Sequence, residues 1–230
     1  MEKRKIIIGT YDTALTGLWT LTGWELSAPT LVESFLDIPG RIDGLLDAST
    51  ALTDGDPRYG SRALAATFES SEGTRAEREE RIRTMQNQLD GWRFDIVLPD
   101  DPTHHIKGRV RVERLYNDLA HASVRVTAKC DPWRYNNTET VVVLQATVTP
   151  QTATLINSGR RAVAPVLTVT GGDVNITFAG VSRALSPSVY RDLPELFLSR
   201  SGSEDNQRGT YPLTYSGTGS ILLTYREAVL

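Results

Sequence analysis

The stretch 59-YGSRALAATFESSEGTRAEREERIRTMQNQLDGWRFDIVL-98 changes its apolar period twice, and those two changes decide the fold class. In its first third, Leu64, Ala66 and Phe68 alternate, the period of a half-buried strand. From Thr74 to Gly91 the period turns helical, with Ile82, Met85 and Leu89 on one stripe. Thr74 and Glu77 have capping-box spacing, which satisfies orphan backbone donors at a helix start. Gly91 stands where a helix end favours a residue tolerant of positive φ. Glu77–Arg81 and Glu79–Arg83 are i,i+4 pairs in the favourable order, worth roughly 0.2–0.5 kcal/mol each. Alternation then resumes through Trp92, Phe94, Ile96 and Leu98. The spacing predicts one helix, at about 74–90, laid on a sheet by a narrow apolar stripe.

The flanking sequence is strand-like. Lys5–Gly9 and Gly17–Leu26 read as strands, the second carrying Trp19 and Trp24. A turn cluster, 99-PDDP-102, precedes 105-HIKGRVRVERL-115, in which Gly108 is a candidate bulge. The next strand, 121-HASVRVTAKC-130, ends at 131-DPWRY-135, and the polar 136-NNT-138 marks a domain boundary. Beyond it, 140–149, 164–171, 174–180, 190–200 and 219–228 are strand-like, with Gly, Pro, Asn and Asp turns between them. Such spacing points to an antiparallel sandwich. The expected architecture is mainly β: an N-terminal sandwich or barrel with one flanking helix over 1–135, and a C-terminal β-sandwich over 136–230. All four tryptophans fall in the first part.

Composition excludes several classes. A 40% hydrophobic and 23% charged chain is ordinary for a globular protein, and a net charge of −3 points to neither nucleic acid nor an anionic membrane. One cysteine, Cys130, allows no internal disulfide and no cysteine-rich zinc site. The apolar run after the basic start MEKRK is too short for a signal peptide, and no later run is long enough to cross a bilayer. Synthesis in a reducing cytoplasm is expected.

Chemistry-bearing constellations are few. His104, His105 and His121 with Cys130 and Asp131 could hold zinc, yet adjacent strand residues point to opposite faces, so His104 and His105 do not share an ion without a kink. The carboxylate pairs Asp43/Asp47, Asp54/Asp56 and Asp100/Asp101 sit among Gly and Pro, where Asp serves turns and caps. Phosphate-loop, nucleophile-elbow and zincin motifs are missing. No catalytic, metal or cofactor residue is expected. Glycan binding is the second reading, since β-sandwiches often bind sugars; it would want a Trp platform, and the second half has none.

Three segments resemble, in order, the distal tail protein (Dit) family of phages with long non-contractile tails. The first is 38-IPGRIDGLLDAST-50, with Pro39, Gly40, Arg41, Asp43, Gly44 and Asp47; it departs from the family's stretch by an extra residue, Ile42. The second is 58-RYGSRALAATFE-69, with Tyr59, Gly60 and Arg62. The third is 95-DIVLPDDPTHHIKGRVRVERL-115, with Gly108 and Arg109, followed by 126-VTAKCDPWRY-135. The second half resembles the family's galectin-like domain through 213-LTYSGTGSILLTYRE-227. The resemblance implies a structural, non-enzymatic homohexameric ring in the virion's tail tip. Such a ring joins the major tail tube protein to the tail-tip hub and lets DNA pass through its lumen without specific binding; no membrane is involved. The N-terminal domain would form the ring and the galectin-like sandwich would lie at its periphery. Pro39-Gly40 suits the centre of a type II turn, and Arg41, Asp43 and Asp47 are then expected as ion-pair or capping groups at a subunit contact. Ile38 and Leu46 are expected as core or interface anchors.

Overall fold

A computed structural model describes residues 4–15, 18–37, 45–49, 57–199 and 209–230. The chain divides into two compact units, Met1–Arg134 and Tyr135–Leu230. The first contains β1 (Ile7–Ile8), β2 (Tyr11–Asp12), β3 (Thr20–Leu26), β4 (Leu31–Val32), β5 (Phe35–Asp37), β6 (Leu45–Asp47), β7 (Arg58–Tyr59), β8 (Arg62–Ser70), α1 (Arg75–Leu89), β9 (Arg93–Leu98) and β10 (Asp101–Asn117), with most of β11 (Ala122–Asn136). One curled sheet runs in the order β2-β1-β9-β10-β11-β8-β3. The ladder of β8 on β11 is unbroken from Arg62↔Cys130 to Ser70↔Ala122. Alternation puts Leu64, Ala66 and Phe68 of β8, with Val124, Val126 and Ala128 of β11, into one core.

The helix seals that core as its stripe predicts, with Ile82, Met85 and Leu89 buried. Thr74 is the N-cap and forms the full capping box with Glu77. Gly91 takes φ +82°. The expected i,i+4 pairs do not form, because tertiary partners claim the same groups. Glu79 receives the Arg114 guanidinium at 3.0 Å and the Asn117 amide at 2.9 Å. Arg81 turns to Ser70 Oγ and the Glu72 carbonyl. Buried Arg78 donates to the Gly73 carbonyl at 2.6 Å and to the Asp118 and Leu119 carbonyls at 2.9 and 3.0 Å, tying the helix start to the β10–β11 turn. At the other end Asp90 Oδ1 accepts from the Val112 amide at 2.8 Å. The helix is thus stitched to β10 at both ends.

Several boundaries differ from expectation. β10 runs seventeen residues from Asp101, longer than 105–115, and β11 continues through DPWRY to Asn136. Gly108 is not a bulge: it pairs in register with Phe94, and the irregularity lies between Asp101 and Ile106. Its lack of a side chain has another cause, since a Cβ there would stand 2.6 Å from Cys130 Sγ and 3.2 Å from Ala128 Cβ. Trp92 lies outside β9 and is 67% exposed, so the alternating core face starts at half-buried Phe94.

The second unit holds β12 (Thr140–Gln145), β13 (Gln151–Ile156), β14 (Val166–Thr170), β15 (Val174–Phe178), β16 (Val181–Leu185), β17 (Ser188–Tyr190), β18 (Thr210–Gly217) and β19 (Ser220–Tyr225). They form two four-stranded antiparallel sheets, β12-β19-β14-β17 and β13-β18-β15-β16. Leu144, Leu167, Val169, Ile221 and Leu223 of one sheet meet Leu155, Ile176, Phe178 and Leu213 of the other in one core, a β-sandwich. Of the strand expected over 190–200, the described residues 191–199 form none beyond Tyr190. Asp192 adopts φ +53° and Pro194 lacks an amide hydrogen, so Leu193, Leu196 and Leu198 are buried from an irregular segment with one bridge, Val163↔Leu198. Fully buried Asn157 anchors that segment, its amide donating to the carbonyls of Arg161, Leu198 and Ser199 at 2.8–3.1 Å.

Candidate assembly surface

Between β3 and β8 the described residues form two short two-stranded ladders outside the main sheet, an arm. Two short ladders hold it: Leu31↔Tyr59 and Val32↔Arg58 in β4/β7, then Phe35↔Asp47 to Asp37↔Leu45 in β5/β6. The arm is rooted by the Ser27 amide donating to the Ala63 carbonyl at 2.9 Å, and by the Ala63 amide donating to Ser27 Oγ at 2.8 Å. Gly60 N–H closes on the Thr30 carbonyl at 2.7 Å. Tyr59 packs edge-on against Trp133, ring centroids 5.5 Å apart. Leu31, Val32, Phe35 and Leu36 are 37–53% exposed, an apolar run left uncovered among the described residues.

Of the sequence-marked residues, Pro39, Gly40, Arg41, Asp43 and Gly44 lie outside the described residues, as does Ile38; Asp47 and Leu46 are placed only by their backbone in β6. Gly108 belongs to the core face. Arg109 lies on the outward face of the sheet, whereas Arg62, in phase with Leu64 and Ala66 and opposite buried Cys130, belongs to the core face at the start of β8. Arg109 lines an outward groove of about 660 Å³ with Arg111, Arg125 and Lys129, over a floor made by Ala63 and Ala65, and Arg62 borders its end. The β8–β11 register creates it by setting the two alanines opposite Lys129 and Thr127. Arg62 is only 8% exposed; its Nε donates to the Ser27 carbonyl at 3.1 Å, while Nη1 is buried without a partner. Burial, then the neighbouring Arg134, pulls its pKa below the ordinary arginine value. Arg109 donates to the Gly91 carbonyl at 2.6 Å. Arg111, Arg125 and Lys129 were not singled out from the sequence, although basic residues two or four apart on one strand (109/111 and 125/129), hence on one face, carried the signal.

The other constellations are occupied structurally. His104 Nδ1 lies 2.8 Å from Asp101 Oδ1, and Arg134 Nη1 lies 3.0 Å from Asp101 Oδ2. Burial opposes ionisation of Asp101, but hydrogen bonds from His104, Arg134 and Thr103 prevail and hold its pKa below the usual value. His105 is buried at the opposite side of the strand, near Asp95 at 3.6 Å. Burial, followed by Asp131, pushes the Cys130 thiol up to about 12, so it stays protonated at neutral pH and supplies no thiolate. Among the described residues no three His, Cys, Asp or Glu side chains gather to hold a metal.

A mainly β chain built as a curled sheet with one sealing helix, followed by a two-sheet sandwich, has a Dit-like fold. Among solved structures it is similar to the Dit protein (gp 19.1) of phage SPP1, described as a paradigm of the hub adsorption apparatus in phages infecting Gram-positive bacteria. The likeness spans 98% of this chain and 99% of that one, at TM-score 0.65 and 15% sequence identity. No family model and no curated protein sequence matches the chain.

Proposed function

We propose that the chain is a structural protein of a phage tail, acting as a distal tail protein. The observation that carries this reading is the likeness to the SPP1 Dit protein over essentially the whole of both chains. In this reading the protein resides in the virion, and six copies close a ring between tail tube and tail-tip hub, through which DNA passes without specific binding. Residues 1–135 build the ring, and residues 136–230 form a galectin-like sandwich. The protein performs no catalysis.

The exposed surface supports assembly. A closed ring uses heterologous contacts, in which one patch of each subunit meets a different patch of its neighbour. The first unit offers two kinds of unmatched surface: sheet ends at β2 and β3, and the arm with exposed Leu31, Val32, Phe35 and Leu36. Exposed apolar runs on an extended hairpin are costly unless a partner covers them. The marked residues of β6–β8 (Asp47, Tyr59, Gly60, Arg62) lie along this arm and its root, which is where a role at a subunit contact would put them. Negative-stain microscopy of the purified protein should show six-fold ring particles. Dispersed particles that instead bind purified cell-wall polysaccharide would support the glycan-binding reading and overturn this one.

A further inference from the structure

The groove on the outward face of the first unit's sheet has walls of opposite charge. Arg109 and Arg111 of β10 with Arg125 and Lys129 of β11 line one side, Ala63 and Ala65 make the floor, and Glu25 of β3 stands on the other side. The groove continues into a hollow of about 180 Å³ bounded by Gly23, Glu25, Ala65, Thr67 and Arg125. Three small residues, Gly23, Ala63 and Ala65, keep a path open across β3 and β8, and a Cβ at Gly23 would meet nothing within 4 Å. Arg111, Arg125, Lys129 and Glu25 have no ion-pair or hydrogen-bond partner among the described residues, although Arg125 and Glu25 line both hollows. Four like charges gathered on two adjacent strands repel one another, and an anion laid among them relieves that repulsion.

Spacing and rim decide what kind of anion fits. Same-face residues two apart on a strand stand about 7 Å apart, so Arg109 and Arg111 repeat at the interval of alternate side chains in an extended peptide. The cationic wall is short. Glu113 follows Arg111 at the next same-face position of β10, and Asp131 follows Lys129 at that of β11. A nucleic-acid backbone binds by releasing counterions along a run of cations, and carboxylates beyond the wall and across the floor interrupt such a run. Glu25 adds a second requirement, because it repels a purely anionic chain. A polypeptide can set carboxylates toward β10 and β11 and a cation or amide toward Glu25. The charge pattern therefore selects a protein segment over nucleic acid.

We propose that this groove docks an extended acidic segment of a different protein, with its carboxylates on Arg109, Arg111, Arg125 and Lys129 and its small or apolar side chains on the Ala63/Ala65 floor. Alternation in an extended chain supplies both faces from one segment. Guanidinium groups take carboxylates in paired, charge-assisted hydrogen bonds, which fix the segment's register along the wall. The docking goes beyond the tail-protein reading and needs only the first unit, whether the chain is single or closed into a ring.

The test titrates the full-length protein into a fluorescein-labelled peptide of alternating aspartate and alanine and follows fluorescence anisotropy. Saturable binding is expected, and Arg125→Glu with Lys129→Glu should weaken it by about tenfold or more. The same variant should gain affinity for the peptide in which lysine replaces every aspartate, which separates charge recognition from damage to the fold. An equal charge change on the helix, Arg75→Glu with Arg83→Glu, should leave binding unchanged. Absence of saturable binding, or equal weakening by both pairs, would overturn the proposal. So would a labelled DNA duplex that binds the parent as tightly as the peptide at physiological salt and is released by the Arg125 and Lys129 substitutions. Light scattering of the same samples covers the remaining occupant. A molar mass that falls with the Arg125 and Lys129 substitutions would assign the groove to a second copy of this chain and overturn the proposal, whereas an unchanged mass supports a different protein. Failure of peptide binding leaves the ring reading untouched, and a monomer that binds the peptide does the reverse.

Discussion

Replacing Gly108 with alanine, alone and together with Cys130→Ala, probes the tightest contact in the first core. The added Cβ would stand 2.6 Å from Cys130 Sγ, 3.2 Å from Ala128 Cβ and 3.4 Å from Ile96 Cδ1. A comfortable separation is about 3.5–4.0 Å, so the sulfur is about 1 Å too close and must be displaced within a filled core. Overpacking of this kind costs roughly 1–3 kcal/mol. Gly108 has no left-handed backbone, so the cost is steric rather than conformational. Cys130→Ala alone removes a buried sulfur from a site 1% exposed and should cost about 1–2 kcal/mol through lost contacts and a small cavity. In the double variant the new methyl occupies the space the sulfur vacates, so the two losses should not add. A favourable coupling of about 1 kcal/mol or more is expected between directly touching groups. Urea denaturation followed by tryptophan fluorescence is the right assay, because Trp19, Trp24, Trp92 and Trp133 all lie in the first unit. Strictly additive losses, or a Gly108→Ala variant as stable as the parent, would refute the packing of β10 against β11.

Leu89, 2% exposed under the sheet, should cost about 2–5 kcal/mol when cut to alanine in the same assay. A loss below about 0.5 kcal/mol would mean that the helical stripe faces solvent. Asp101 has a folded pKa below its unfolded value, so its ion pairs stabilise the fold above the unfolded carboxylate pKa of about 3.9 and are lost as pH falls through the lower folded value. Asp101→Asn should therefore lower stability near neutrality and flatten the acid limb of the stability curve; an acid limb unchanged in slope would contradict the His104–Asp101–Arg134 cluster.

How far the sequence could be read depended on whether a signal was local. The helix was legible because cap, stripe and terminal glycine all sit within eighteen residues, 74–91. The core faces of β8, β9 and β11 were legible because each buries one face. Strands β13, β16 and β18 were not marked as strands: QTATLI and VSRAL expose most of their length, and TYPLTYSG carries a proline and alternates poorly. The segment 191–199 deceived in the other direction: three buried leucines imitate a strand, but Asp192 and Pro194 prevent one. Gly108 was marked correctly as special and given the wrong cause, because the sulfur that excludes a side chain lies twenty-two positions away. The groove shows the limit most clearly. Arg109 could be marked by itself, but its meeting with Arg125 and Lys129 over Ala63 and Ala65 depends on the pairing of β8 with β11, a long-range register that no local pattern encodes.

The molar mass of the purified full-length protein, measured by light scattering across a concentration series, tests the assembly claim most directly. The account predicts six copies of the 25.4 kDa chain, about 152 kDa, with smaller species only on dilution. A monomer of constant mass at every concentration would contradict it.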